Sequence, residues 1–268
     1  MLFKLLFFLL IPLILFSFED NDIDGVDDIY DKCLFTPFSD LVGSDGCTIE
    51  SLESPHHFSF MTGVSFSDTD YNTLSKTNTT TSSLQLDYYY KNFSVALNTS
   101  YYNNSSEIYS NSGMNDTYLG VGYRLEFRDL YLSVSTGVIL PTYDTTLNNN
   151  KTDYTANINL SYTIENLNFF TTYGYTLVND TDVKDVVSYQ NSNYLSLGLG
   201  YYFTHKLYMS SYYSISDSIF KTISKIETQS LYVYYGINEN FFTTLTYAYG
   251  LSETASDNYI ALKIGYNY

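Results

Sequence analysis

The sequence predicts an all-β chain whose main part is an antiparallel transmembrane β-barrel of about 12 strands, with a small loop module in front of it. Three observations predict it. Apolar and polar residues alternate with a period of two through segment after segment from His57 to the C-terminus. The links between those segments alternate between short and long. The composition favours strands over helices, with 31 Tyr, 18 Phe, no Trp and only 4 Pro among 268 residues.

Charge narrows the function classes. The formal net charge is −17 and charged residues make up only 15% of the chain. A nucleic-acid partner needs a basic face and is excluded on that ground. Disorder is excluded by the aromatic content, which is far above what an unfolded solvating segment carries.

Residues 1–18 read as a secretory signal peptide. Lys4 gives a positive start, an apolar run follows, and Ser17 is the one small residue near the expected cut. An uncleaved anchor is the alternative reading. Export places the rest of the chain in an oxidising compartment, where Cys33 and Cys47, the only two cysteines, are expected to pair.

Residues 19–50 form a separate unit. Asp20, Asp22, Asp24, Asp28 and Asp31 fall at positions 1, 3, 5, 9 and 12 of a cation loop, with Gly25 at the sharp turn and the carbonyl of Val26 at position 7. Hard oxygen ligands at that spacing point to Ca²⁺. The unit has almost no apolar core, so the metal and the disulfide would have to hold it together. Asp20, Asp22, Asp24, Gly25, Val26, Asp28, Asp31, Cys33, Thr36, Pro37, Val42, Gly46 and Cys47 together resemble one thrombospondin type 3 repeat. The resemblance implies a calcium-binding spacer beside a barrel, lying in the periplasm.

The predicted strands of residues 57–268 are Phe58–Phe66, Ser83–Tyr90, Phe93–Tyr102, Tyr118–Phe127, Leu130–Leu140, Tyr154–Ile164, Leu167–Leu177, Tyr194–Phe203, Leu207–Ser216, Ser230–Ile237, Phe241–Leu251 and Tyr259–Tyr268. Each is near the length a tilted strand needs to cross a membrane. Lys91-Asn92, Arg128-Asp129, Glu165-Asn166, Thr204–Lys206 and Asn238–Asn240 are short links. Ser67–Ser82, Asn103–Thr117, Pro141–Asp153, Val178–Asn193 and Asp217–Gln229 are long and rich in Asn, Asp, Ser and Thr. An even strand number puts both ends of the barrel on the short-link side.

The two faces differ in kind. Leu130, Leu132, Val134, Val138 and Leu140 oppose Tyr131, Ser133, Ser135 and Gly137, and Tyr154, Ala156, Ile158, Leu160 and Tyr162 oppose Thr155, Asn157, Asn159 and Ser161. The second face is too polar for a sandwich core and suits a wet lumen. Tyr90, Phe93, Phe127, Phe169, Phe203, Phe241 and Tyr268 crowd the short-link ends, as an interfacial girdle does. The last stretch, Ile260–Tyr268, alternates and stops on an aromatic residue. It resembles the terminal strand of bacterial outer-membrane barrels, which implies a place in the outer-membrane lipid and a signal at Tyr266 and Tyr268 read by the barrel-assembly machinery.

Counting from the short links turns Asp87, Arg124 and Lys263 inward as one mixed-charge layer, with Glu126 one layer lower. Tyr131, Tyr202, Tyr208, Tyr212, Tyr232 and Tyr234 also turn inward, where they are expected to fill the lumen, with stacking on sugars as the alternative. His56, His57 and His205 lie before the first strand or in a short link, away from the loop rim, so an enzyme is not expected. The function expected is passive passage of small solutes through an outer-membrane channel; the alternative is a non-conducting barrel or adhesin that binds an external partner through its long loops.

Overall fold

The computed structural model describes residues 22, 26, 31–33, 36, 40–51, 55–70, 76–107, 109–144, 147 and 149–268. The signal segment lies outside the described residues, as do the predicted ligands Asp20, Asp24 and Asp28. The chain divides at Pro55 into two units, residues 1–55 and 56–268.

The first unit holds β1 (Asp40–Val42) and β2 (Thr48–Ser51), paired antiparallel. Gly46 turns between them with φ +72°, where a Cβ would overlap the carboxylate of Asp31. Cys33 and Cys47 are disulfide-bonded, with their Cα atoms 5.1 Å apart.

The second unit is a closed barrel. Its strands are β3 (His56–Thr69), β4 (Thr77–Tyr90), β5 (Phe93–Ser105), β6 (Ser110–Met114), β7 (Thr117–Phe127), β8 (Leu130–Leu140), β9 (Asp153–Ile164), β10 (Leu167–Leu177), β11 (Ser192–Thr204), β12 (Leu207–Ser216), β13 (Ile226–Gly236), β14 (Phe241–Gly250) and β15 (Asn258–Asn267). Neighbours pair antiparallel in sequence order, and β15 returns to pair with β3. β6 is a hairpin folded back on the long-loop end of β5, so twelve strands form the wall. Tyr268 completes the closure: its N–H donates to Phe58 O at 2.9 Å and its carbonyl accepts from Phe58 N at 2.8 Å.

Three of the short links are two-residue turns whose first residue, Lys91, Arg128 or Glu165, has positive φ. That geometry matches the twist of the strands it joins. The strands run further toward the long loops than hydropathy indicates. Thr77–Ser82 belongs to β4 and Ile226–Gln229 to β13, although both read as loop. Thr77–Ser82 is all Ser, Thr and Asn, and Ile226–Gln229 sets Glu227 and Gln229 on the outward side, so neither shows an apolar outward face, while the backbone ladder continues.

Register fixes the tilt. Followed strand by strand from Tyr90, the pairing returns to β4 about 14 residues nearer the long-loop end. For twelve strands this stagger means a tilt of about 40° and a backbone radius of about 11 Å. The outward side is apolar and exposed on every wall strand, from Phe58, Phe60 and Val64 round to Ile260, Leu262 and Ile264.

Candidate functional site: the barrel lumen

The inward face carries small and hydroxylated residues interleaved with aromatic rings. Ser196, Ser210, Ser230 and Thr244 are buried against the wall beneath those rings. How the rings lie decides whether the barrel has a lumen. Tyr208 on β12 crosses β11 above Gly200 and donates its hydroxyl to Asn168 Oδ1 on β10 at 3.1 Å. A ring held across three strands lies along the wall, not across the pore. The arrangement recurs: Tyr118 occupies the space a Cβ would need at Gly120 and Gly137, Phe170 the space at Gly198, and Phe242 the space at Gly265. Gly120, Gly137, Gly198, Gly200 and Gly265 are thus seats for neighbouring rings, a known device in curved sheets. Tyr202 packs on Tyr208 at 4.6 Å, and Tyr234 stacks on Phe242 at 5.3 Å. Of the predicted inward tyrosines, Tyr208 thus lies along the wall, with Tyr202 packed on it and Tyr234 on Phe242. Alternation along the chain places all six on the inward face, but the seat of Tyr208 over Gly200 leaves only a weak sequence mark, Gly recurring at inward positions.

The four predicted lumen charges all occupy inward positions. Asp87 is buried and accepts from Gln85 Nε2 at 2.7 Å. Arg124 lies over Tyr131 at 4.8 Å and Tyr89 at 5.8 Å from the ring centroids, and sits 3.8 Å from Glu126. Aromatic faces attract a guanidinium and restrict its swing, so Arg124 is held near the wall. Lys263 has no ion-pair partner among the described residues.

The expected single layer needs correction. Asp87 shares a cross-strand row with Ser59 and Asn267 on one side and with Ala96 and Gly120 on the other. Lys263 and Arg124 are each four residues off that row. Strand tilt recovers part of the offset, so Lys263 stands about 4 Å nearer the long loops than Asp87, and Arg124 about 4 Å nearer the short turns. Counting from the turns ignored the stagger between strands. The charges form a band along the lumen, with Glu126 at its lower edge.

At the ends, His56 Nδ1 lies 2.6 Å from Tyr88 OH, and His205 is in the β11–β12 turn. At the long-loop end, Asp116 accepts from Tyr143 N and Asn150 Nδ2, both at 2.8 Å. Asp180 accepts from Lys151 N, and Asp182 from Tyr189 N. Lys221 reaches Asp182 at 3.3 Å. The bonds of Asp116, Asp180 and Lys221 tie adjacent long loops together, and that of Asp182 to Tyr189 N braces its own loop.

In the first unit, two of the six predicted calcium ligands are described with their carboxylates. Asp22 Oδ2 accepts from Thr36 N, and Asp31 Oδ1 accepts from Cys33 N, both at 2.7 Å. The second oxygen of each, Asp22 Oδ1 and Asp31 Oδ2, is buried with no hydrogen-bond partner among the described residues. Buried carboxylate oxygens left in that condition fit a cation.

No described protein family and no curated protein matches this sequence. Solved structures do match. An outer membrane channel from Pseudomonas putida F1 superposes with a TM-score of 0.66 at 12% identity, over 81% of this chain and 97% of that one. A deletion mutant of TodX, a monoaromatic hydrocarbon channel, gives a TM-score of 0.50 at 11% identity, over 79% of this chain and 90% of that one. At such identity the likeness is one of fold. With strand number, closure and alternating faces in agreement, residues 56–268 are a closed antiparallel twelve-strand barrel of the fold found in bacterial outer-membrane proteins.

Proposed function

We propose that the barrel lies in the bacterial outer membrane and lets small solutes pass through its lumen by passive diffusion. The observation that supports this reading is the lay of Tyr118, Phe170, Tyr208 and Phe242, whose rings are seated over glycines along the wall and so leave room at the centre of the barrel. The outward apolar face meets lipid, and the charge band of Lys263, Asp87, Arg124 and Glu126 lies along the path a solute takes. The structural likeness to an outer membrane channel supports it. The test is conductance of the refolded protein in a planar bilayer: stepwise currents are expected, and a folded barrel that never conducts would refute it. The alternative, a non-conducting barrel that binds an outside partner, has its own observation in the hydrogen-bonded long loops, and the same experiment separates the two.

The first unit is proposed as a calcium-binding module in the periplasm, as its resemblance to a thrombospondin type 3 repeat implies. Asp20, Asp22, Asp24, Asp28 and Asp31 would supply carboxylate oxygens and Val26 its carbonyl. The ion would hold the loop from Asp20 to Asp31 together in a unit with little core. Calorimetric titration should detect at least one site, with affinity on the order of 10⁻⁴–10⁻³ M. Binding should weaken in Asp31→Asn. Neither heat nor thermal stabilisation with added calcium would refute it.

A further inference from the structure

Two side-chain hydrogen bonds cross the same strand boundary on the outward face. Gln229 Nε2 on β13 donates to Ser211 Oγ on β12 at 2.8 Å, and Tyr213 OH on β12 donates to Glu227 Oε2 on β13 at 2.8 Å. Register places Tyr213 opposite Gln229 and Ser211 opposite the exposed Leu231, so these residues share the outward side.

The surroundings make this seam unusual. Take the first four outward positions of each wall strand, counted from the short-turn end. Among them Gln229 is the one amide and Ser211 the one serine; the rest are apolar, aromatic or threonine. The threonines solve their hydrogen bonding within the wall. Thr62, Thr136, Thr171 and Thr243 each donate to a carbonyl of the adjacent strand. Thr99 meets Thr117. The exposed Gln229 does not: one N–H goes to Ser211, and its second N–H and its Oε1 have no partner among the described residues. Gln229 is the fourth outward residue of β13 from the short-turn end, opposite Tyr213 and Tyr249, with Glu227 next toward the long loops. Lipid tails offer neither donor nor acceptor, so an amide inside this edge of the apolar band is costly unless protein covers it. Beside it lies a groove of about 570 Å³, floored by Gly198 and walled by Leu160, Tyr162, Phe169, Leu197 and Leu199.

We propose that this face, from β10 to β13, is where a second copy of the chain docks in the membrane, across a two-fold axis beside Gln229. A primary amide is self-complementary: its N–H and carbonyl match the carbonyl and N–H of another. A two-fold axis sets the same residue of each copy opposite its twin, so it supplies that match without a further binding element. The groove beside the axis receives apolar side chains that the same rotation brings across from the partner copy. The inference rests on the barrel spanning a membrane and is independent of conduction.

The test uses the full chain in its native membrane. Gln229→Cys should give a thiol-crosslinked product of twice the chain mass, because Cys33 and Cys47 are tied to each other. Val121→Cys, outward on β7 and away from the seam, should not. In detergent, Gln229→Leu should weaken self-association roughly tenfold by sedimentation, with the heat stability of the barrel unchanged or raised. Four results would overturn the proposal: no crosslink at position 229, a crosslink only to a different protein, equal crosslinking at position 121, or a Gln229→Leu variant that self-associates as tightly as the parent. If that variant loses barrel stability while its association is unchanged, Gln229 serves as a tie within one barrel and the docking surface is wrong.

Discussion

Reversing the charge of Lys263 should switch the ion preference of the lumen toward cations. With a backbone radius of about 11 Å and a lysine reaching inward, the ammonium lies about 6 Å from an ion on the axis. At the dielectric constant of water each unit charge at that distance is worth about 0.7 kcal/mol to the ion, and about 0.4 kcal/mol after screening in 0.1 M salt. Lys263→Glu doubles the change in charge and acts with opposite sign on cation and anion. The cation-to-anion permeability ratio should therefore rise on the order of tenfold. Arg124→Glu should move it the same way but less, because Tyr131 and Tyr89 hold that side chain against the wall and Glu126 already sits 3.8 Å away. Asp87→Lys should move it toward anions. The assay is the reversal potential under a salt gradient across a planar bilayer. Conducting channels whose reversal potential ignores all three changes would remove the charge band from the mechanism.

Gly200→Ala should displace the Tyr208 ring and break its bond to Asn168, costing about 1–3 kcal/mol of stability and lowering conductance; the double variant Gly200→Ala/Tyr208→Ala should restore conductance, and failure to do so would refute the seating argument. Deleting Tyr268 removes two backbone bonds to Phe58 and should cost about 1–3 kcal/mol of barrel stability. Tyr268→Ala keeps both bonds, so it should retain stability in denaturant unfolding while less protein reaches the outer membrane. Normal amounts of that variant in the membrane would refute the signal reading. Asp182 has its carboxyl held below the ordinary carboxylate range by the backbone N–H of Tyr189 and then by Lys221. The loop tie it makes is present above the unfolded value of about 3.9 and is lost as pH falls through the lowered one. Asp182→Asn at neutral pH should expose the Val178–Asn191 loop to proteolysis as acid does, and unchanged cleavage would refute the tie.

The period of two carried most of the fold. Where a strand has a lipid face, as in Leu130–Leu140 or Leu167–Leu177, the alternation marked its limits to the residue. Where the outward side carries no apolar residues the signal vanished, which is why Thr77–Ser82 and Ile226–Gln229 read as loop although their backbones are paired. That loss had a consequence, because it hid Gln229 among loop residues. The side each lumen charge faces was legible from alternation alone. Their heights were not, because stagger between strands is set by pairing over many residues and leaves no local mark. The seating of Tyr208 over Gly200 needs the register of three strands at once, so it too was beyond reach from the chain alone. In the first unit the cysteine pairing followed from there being only two cysteines. The buried oxygens of Asp22 and Asp31 that lack a partner among the described residues depend on how the chain folds around them and leave no mark in the sequence.

Single-channel recording of the refolded full-length protein decides whether the barrel conducts. Discrete, salt-dependent conductance steps are expected in a bilayer from protein shown to be folded by its heat-resistant strand content. Folded barrels that insert and stay electrically silent across voltages and salts would contradict the channel reading.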